Sequence, residues 1–186
     1  MKRLLIVVDY QRDFVDGSLG FPEAVALDER IASKIDAYHS ADDIVAFTFD
    51  SHTNHYRASQ EGKYLPIAHC VIGTPGWDLY GKTAEARLER DLAFKKNTFG
   101  SNQLFSYLST TDRASQEEGM NPFVSIELVG VATNICVIAN AVIAKTACPE
   151  VPIIIDASCT AAPDVQLYNK TLDVCDGLQI KVEHRA

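Results

Sequence analysis

Gly130-Val131-Ala132-Thr133-Asn134-Ile135-Cys136 decides how this chain is read. The run follows the apolar stretch Phe123–Val129 and leads into Val137-Ile138-Ala139-Asn140-Ala141-Val142-Ile143-Ala144-Lys145. β-branched residues favour extended backbone and alanines favour helix. The stretch therefore predicts a buried strand that turns at small residues into a helix over Asn134–Ala147, with Cys136 in its first turn. Free N–H groups and the positive end of the helix dipole gather there, and both favour thiolate over thiol. The dipole contributes only about 0.3–1 kcal/mol, so a reactive cysteine needs further partners.

Working outward, apolar runs suited to buried strands recur at Leu4–Val8, Ile44–Phe49, Leu92–Phe94, Val151–Ile155 and Leu178–Val182. Helical patterns separate them at Pro22–His39, within Leu79–Arg90, and at Asn102–Glu118 and Val165–Asp176. Alternating strands and helices predict one α/β domain over residues 1–186, doubly wound and Rossmann-like. Its central sheet is expected to be six-stranded and mostly parallel, covered by helices on both faces. Ligands in such folds bind beyond the carboxyl ends of the strands. Asp9, Asp50, Lys95, Lys96, the Gly130–Cys136 turn and Asp156 are expected there.

Composition narrows the partners. A net charge of −8, with no basic stripe, disfavours nucleic acid and anionic membrane. The five cysteines show no C-x-x-C pair, and an odd count reads as free thiols in a reducing, cytoplasmic setting. The apolar run Leu4–Val8 ends at Asp9, too early for a signal peptide.

Asp9, Lys96 and Cys136 suit one chemistry. A carboxylate whose pKa is raised by burial can take a thiol proton, and a lysine can hold the resulting charges. The bland reading is also open, since strand-end aspartates cap loops and buried cysteines pack as small hydrophobes. No histidine is placed to pair with the thiol, and His39 and His184 read as surface. Asp50-Ser51-His52, with His55, Glu61 and His69 downstream, collects imidazoles and carboxylates that suit zinc, manganese or iron. Against this stands a solvated polar loop, Ser51–Asp78. Gly76-Trp77-Asp78-Leu79-Tyr80-Gly81-Lys82-Thr83 matches G-x-x-x-x-G-K-S/T letter for letter. Trp77, Leu79 and Tyr80 are bulky where backbone N–H groups must wrap a phosphate, so nucleotide binding is not expected.

Five ordered blocks resemble the isochorismatase-like cysteine hydrolases, in particular their nicotinamidase-related amidase branch. They are Val7–Phe14, Asp50-Ser51-His52, Ala68–Gly76, Lys96–Ser101 and Gly130–Cys136. The resemblance implies Asp9 as base, Lys96 as its lysine and Cys136 as nucleophile of an amide hydrolase working through a thioester. It implies a cis peptide at Val131–Ala132, with Ala132 and Cys136 N–H groups as the oxyanion hole, and Phe14 in the pocket. It further implies a divalent metal on Asp50, His52 and His69, with Glu61 preferred over His55 as the fourth ligand. The implied substrate is a small amide such as nicotinamide, with a ureido or carbamoyl compound as the alternative. A third reading is a metal-dependent hydrolase that does not use Cys136. Dimeric or tetrameric assembly is expected by the same resemblance. Ser51 and Tyr64–Ala68 depart from the branch's aromatic pattern, so an altered pocket wall is expected there.

Overall fold

Leu4-Leu5-Ile6-Val7-Val8 sends its side chains alternately to two faces, and all five are fully buried. Leu4, Ile6 and Val8 pack with Phe94, Leu104, Leu108, Val137, Ala141 and Leu172; Leu5 and Val7 pack with Ile31, Ile35, Phe47 and Val129. The strand is thus the centre of two separate cores, one on each side of the sheet.

The computed structural model describes residues 1–185. In chain order the elements are β1 (Lys2–Val8), α1 (Arg12–Val15), α2 (Pro22–Val25), α3 (Asp28–Ser40), β2 (Ile44–Asp50), α4 (Gln60–Tyr64), α5 (Gly81–Ala86) and β3 (Leu92–Lys96). They continue as α6 (Asn102–Glu117), β4 (Phe123–Val131), α7 (Ile138–Ala147), β5 (Ile153–Ala161), α8 (Val165–Gly177) and β6 (Lys181–Glu183). The strands form a six-stranded sheet in the order β3-β2-β1-β4-β5-β6. Every pairing is parallel, so "mostly parallel" becomes wholly parallel. The order reverses direction between β1 and β4, and a crevice opens at their carboxyl ends. Among the described residues, no helix is long and apolar enough to cross a membrane.

Several boundaries differ from expectation for physical reasons. The helix expected over Pro22–His39 is two helices, because bonding tightens at Ala26-Leu27, where Leu27 N–H reaches Ala24 O at 3.1 Å. The Asp28 carboxylate then turns outward and accepts from Lys82 N–H (2.8 Å) and Thr83 N–H (2.9 Å). Those are the donors a phosphate would need in the Gly76–Thr83 segment, so the mimicry of a phosphate loop ends in an internal cap. His39 is not a surface residue: its side chain is 10% exposed and its Nε2 lies 2.9 Å from Asp91 Oδ1. His184 is exposed, as expected. The last strand starts at Lys181, not Leu178, because Leu178 still bonds back to Val174 and Cys175 and Gln179 takes a positive φ.

Asp156 also departs from expectation. Leu128 pairs with Ile155 but Gly130 pairs with Thr160, so Asp156–Cys159 bulge from the ladder. The Asp156 carboxylate turns to Lys34 on α3 (2.6 Å) and accepts from Ser158 Oγ (2.7 Å), away from the β1/β4 crevice. Lys34 also pairs with Glu127, which accepts a hydrogen bond from Tyr38. Burial alone would raise the Asp156 pKa, but Lys34 and Ser158 outweigh it and hold it at about 2. Because the folded value lies below the unfolded one, this stabilisation is complete above about pH 4 and is lost as pH falls through about 2. Unfolding free energies from urea titrations at these two pH limits should fall more for the wild type than for Asp156→Asn, by at most about 2 kcal/mol after solvent screening.

Candidate active site

Asp9 follows β1 directly and takes a positive φ of 46°, which turns its side chain into the crevice. Its backbone N–H and one carboxylate oxygen both meet Thr48 Oγ1 of β2, at 3.2 and 2.7 Å. The other oxygen lies 2.6 Å from Lys96 Nζ, at the end of β3. Lys96 also donates to Thr98 O (2.9 Å) and lies 3.6 Å from Cys136 Sγ and 3.5 Å from Asp50 Oδ1. The three residues expected to act together are therefore together, and all are buried.

Gly130 makes this convergence possible. Its φ is +110°, and a Cβ there would lie 2.2 Å from Val8 O of β1. The next peptide, Val131–Ala132, is cis. A π-helical turn, Thr133–Val137, precedes α7, in place of the α-helical first turn expected around Cys136. Ala132 O accepts from both Ile135 and Val137 N–H across this wider turn.

The thiol's electrostatics correct the sequence expectation. Burial is the largest influence and pushes Cys136 well above the usual thiol range; Asp9 and Asp50 push the same way, and Lys96 opposes them. Desolvation thus opposes, and outweighs, the pull of a helix end toward thiolate. Burial and Asp50 also raise Asp9, against the pull of Lys96. A carboxylate shifted upward beside a protonated thiol is matched to accept its proton.

The second cluster adjoins the first. His52 N–H bonds to Cys70 O and Ile72 N–H to His52 O, both at 3.0 Å, which folds the long loop back on itself. His52 Nε2 and His69 Nε2 lie 3.0 and 3.3 Å from Asp50 Oδ2 and 3.8 and 3.6 Å from Glu61 Oε1. One ligand atom from each of the four falls within 4.8 Å of the rest, so the set could hold a metal ion. His69 Nδ1 donates to Ile67 O (2.9 Å), which leaves Nε2 as the free lone pair. His55 is exposed and stands apart from this group. Glu61 sits in the first turn of α4, whose start Ser59 caps through Gly62 N–H. The donor set of two imidazole nitrogens and two carboxylates suits a divalent cation.

Between the clusters lies a cavity of about 190 Å³. Cys136, Ala132, Asp50, Glu61 and His69 reach it, and Phe14 forms part of its wall. The remaining lining is Leu65, from the Tyr64–Ala68 stretch, Phe99, Val131 and Ile135 from the ordered blocks, and Leu19, Phe21 and Pro163, which carried no sequence signal. Ser51 is not in the wall: its Oγ accepts from Trp77 Nε1 (2.9 Å) and donates to Phe49 O (3.0 Å). Tyr64 is 85% exposed and also outside it.

Other residues that sequence reasoning passed over brace the site. Gln11 is fully buried and brackets Asp50 by accepting from its N–H (2.8 Å) and donating to its carbonyl (2.9 Å). Tyr56 stacks edge-on against both His52 and His69. A glutamine two residues after a strand-end aspartate was the one legible clue.

The "Isochorismatase domain" family model matches residues 3–179. The uncharacterized isochorismatase family protein PncA of Bacillus subtilis (strain 168) is 30% identical over 146 residues, 76% of this chain and 78% of that protein. The pyrazinamidase/nicotinamidase of Streptococcus mutans superimposes with a TM-score of 0.78 at 25% identity, covering 97% of this chain and 99% of that one. Pyrococcus horikoshii pyrazinamidase in complex with zinc gives 0.78 at 21% identity, covering 98% of each chain. N-carbamoylsarcosine amidase of Thermoplasma acidophilum gives 0.72 at 20%, covering 98% and 95%. The last two show a shared fold alone. The chain belongs to the isochorismatase domain family.

Proposed function

We propose that this isochorismatase-family hydrolase cleaves the C–N bond of a small, neutral carboxamide, nicotinamide or a close analogue, through a thioester on Cys136. The observation that carries this reading is Lys96 lying against both Asp9 and Cys136, with Cys136 lining a cavity of about 190 Å³. That is below the roughly 300–1,000 Å³ of drug-sized sites, and its size favours a single small ring.

Asp9 takes the thiol proton as the sulfur attacks the amide carbon, while Lys96 holds the developing charges together. The Ala132 and Cys136 N–H groups stabilise the oxyanion, a contribution of about 3–4 kcal/mol per donor in comparable sites. Asp9 returns its proton to departing ammonia and then activates water to release the acid. Asp50, His52, Glu61 and His69 would hold a divalent ion, zinc by analogy with the Pyrococcus horikoshii protein. When bound, such an ion supplies a fixed Lewis-acid contact that orients the substrate.

The cavity walls favour one of two substrate classes. They include no arginine, and the nearby Lys96 is already engaged by Asp9 and Asp50. Apart from a bound ion, a substrate carrying a carboxylate, such as N-carbamoylsarcosine, would meet a largely apolar wall with no cationic side chain to hold it. Ammonia release by zinc-loaded protein should therefore proceed with nicotinamide and not with N-carbamoylsarcosine. The reverse preference would overturn the assignment.

The metal set has its own test. Glu61→Ala should weaken zinc binding by more than the roughly 10–100-fold that losing an outer-shell partner costs. His55→Ala should leave it unchanged. Titration against a competing chelator distinguishes them, and the opposite ranking would make His55 the ligand.

A further inference from the structure

Asn140 lies in the first turn of α7, is fully buried and is a poor helix former among alanines. Its side chain makes three hydrogen bonds. Nδ2 donates to Cys136 O (2.8 Å) and Phe99 O (3.1 Å), and Oδ1 accepts from Ser101 N–H (3.0 Å). Both amide hydrogens and one carbonyl lone pair are thereby used.

The bonds join two separate parts of the site. Cys136 stands on the π-helical turn, whereas Phe99 and Ser101 belong to the segment leaving β3. That segment orients Lys96, because Lys96 Nζ donates to Thr98 O at 2.9 Å. It also contributes Phe99 to the cavity wall. Gly100 lets it approach α7 closely, since a Cβ there would fall 2.6 Å from Ile143 Cδ1. Ser101 in turn caps α6 through Leu104 N–H at 3.1 Å.

We infer that Asn140 is a positioning residue that ties the Cys136 turn to the Thr98–Ser101 segment and so sets the Lys96–Cys136 geometry. A buried polar side chain away from the reacting atoms, with every bond spent on these two segments, has that consequence. The inference rests on Cys136 being the nucleophile proposed above.

Two variants and a control test it. Asn140→Ala removes all three bonds. Asn140→Asp keeps the outline and the acceptor to Ser101 but sets a carboxylate oxygen against two carbonyls. Ile35→Ala, in the core on the opposite side of the sheet, lowers stability without touching the site. A shift of about 1 Å at reacting atoms can cost about a hundredfold. In ammonia release, kcat should fall about tenfold or more in both Asn140 variants, with KM changed less than about threefold. Iodoacetamide alkylation of Cys136, followed on its own peptide near pH 8, should slow at least about fivefold as Lys96 leaves the sulfur. Ile35→Ala should change neither kcat nor alkylation at temperatures where it is folded.

Wild-type kcat and alkylation in Asn140→Asp would overturn the inference, as would faster alkylation in Asn140→Ala or the same losses in Ile35→Ala. If activity survives Cys136→Ala, the nucleophile reading fails instead. The alkylation comparison would still decide whether Asn140 sets the Lys96–Cys136 pair.

Discussion

Cys136→Ala is expected to lower kcat for ammonia release by on the order of 10⁴-fold or more, because removal of a nucleophile leaves only binding and oxyanion stabilisation. The protein should stay folded. The side chain lost is small, and its neighbours Val137 and Ala141 remain in the same core. Zinc affinity should also persist, since the sulfur is not among the four grouped ligand atoms. The measurement is single-turnover ammonia release by zinc-loaded wild type and variant, with circular dichroism and metal content beside it. Activity within tenfold of wild type in a folded, loaded variant would move the chemistry to the metal and make Cys136 a bystander.

Asp9→Asn carries the second large effect, and it acts on rate and stability together. The amide cannot accept the thiol proton, so kcat should fall by about 10²–10⁴-fold, the range for a positioned acid–base group. Its Thr48 contact can persist with the same outline. Lys96, however, loses the carboxylate at 2.6 Å and keeps Asp50, at 3.5 Å, as its remaining counter-ion. Breaking one side of a buried pair costs about 3–5 kcal/mol because the remaining charge is uncompensated. Urea denaturation reads the stability and ammonia release the rate. A variant as stable and as active as the wild type would exclude Asp9 both as base and as counter-ion. A stable but inactive variant would retain the base role and show that Asp50 suffices for Lys96.

Much of this was legible because it is local. Leu4–Val8 and Phe123–Val131 read as buried strands from their unbroken apolar character, and parallel strands covered on both faces look like this. The positions after them, Asp9 and the Gly130–Cys136 turn, were then placed at one sheet edge by topology alone. His52 and His69 stood out as imidazoles soon after a strand, and the model match over residues 3–179 accords with the ordered blocks. His39 was misread because amphipathic patterning cannot see Asp91, which comes from a different element. Asp156 was misplaced because a bulge obeys pairing with β4, and no residue type in Asp156–Cys159 announces it.

The sequence by itself determined the α/β architecture, the strand ends that carry chemistry, and the identity of Asp9, Lys96, Cys136, Asp50, His52 and His69 as candidates. These follow from side-chain chemistry and short-range periodicity, which are properties of neighbouring residues. Only the tertiary structure decided that Glu61 rather than His55 joins the cluster, that burial pushes the Cys136 thiol upward, and that Asn140 bonds its turn to the segment after Lys96. Each of these depends on burial and on distances between segments about 10 to 40 residues apart, and desolvation in a shared crevice outweighs what any one turn contributes.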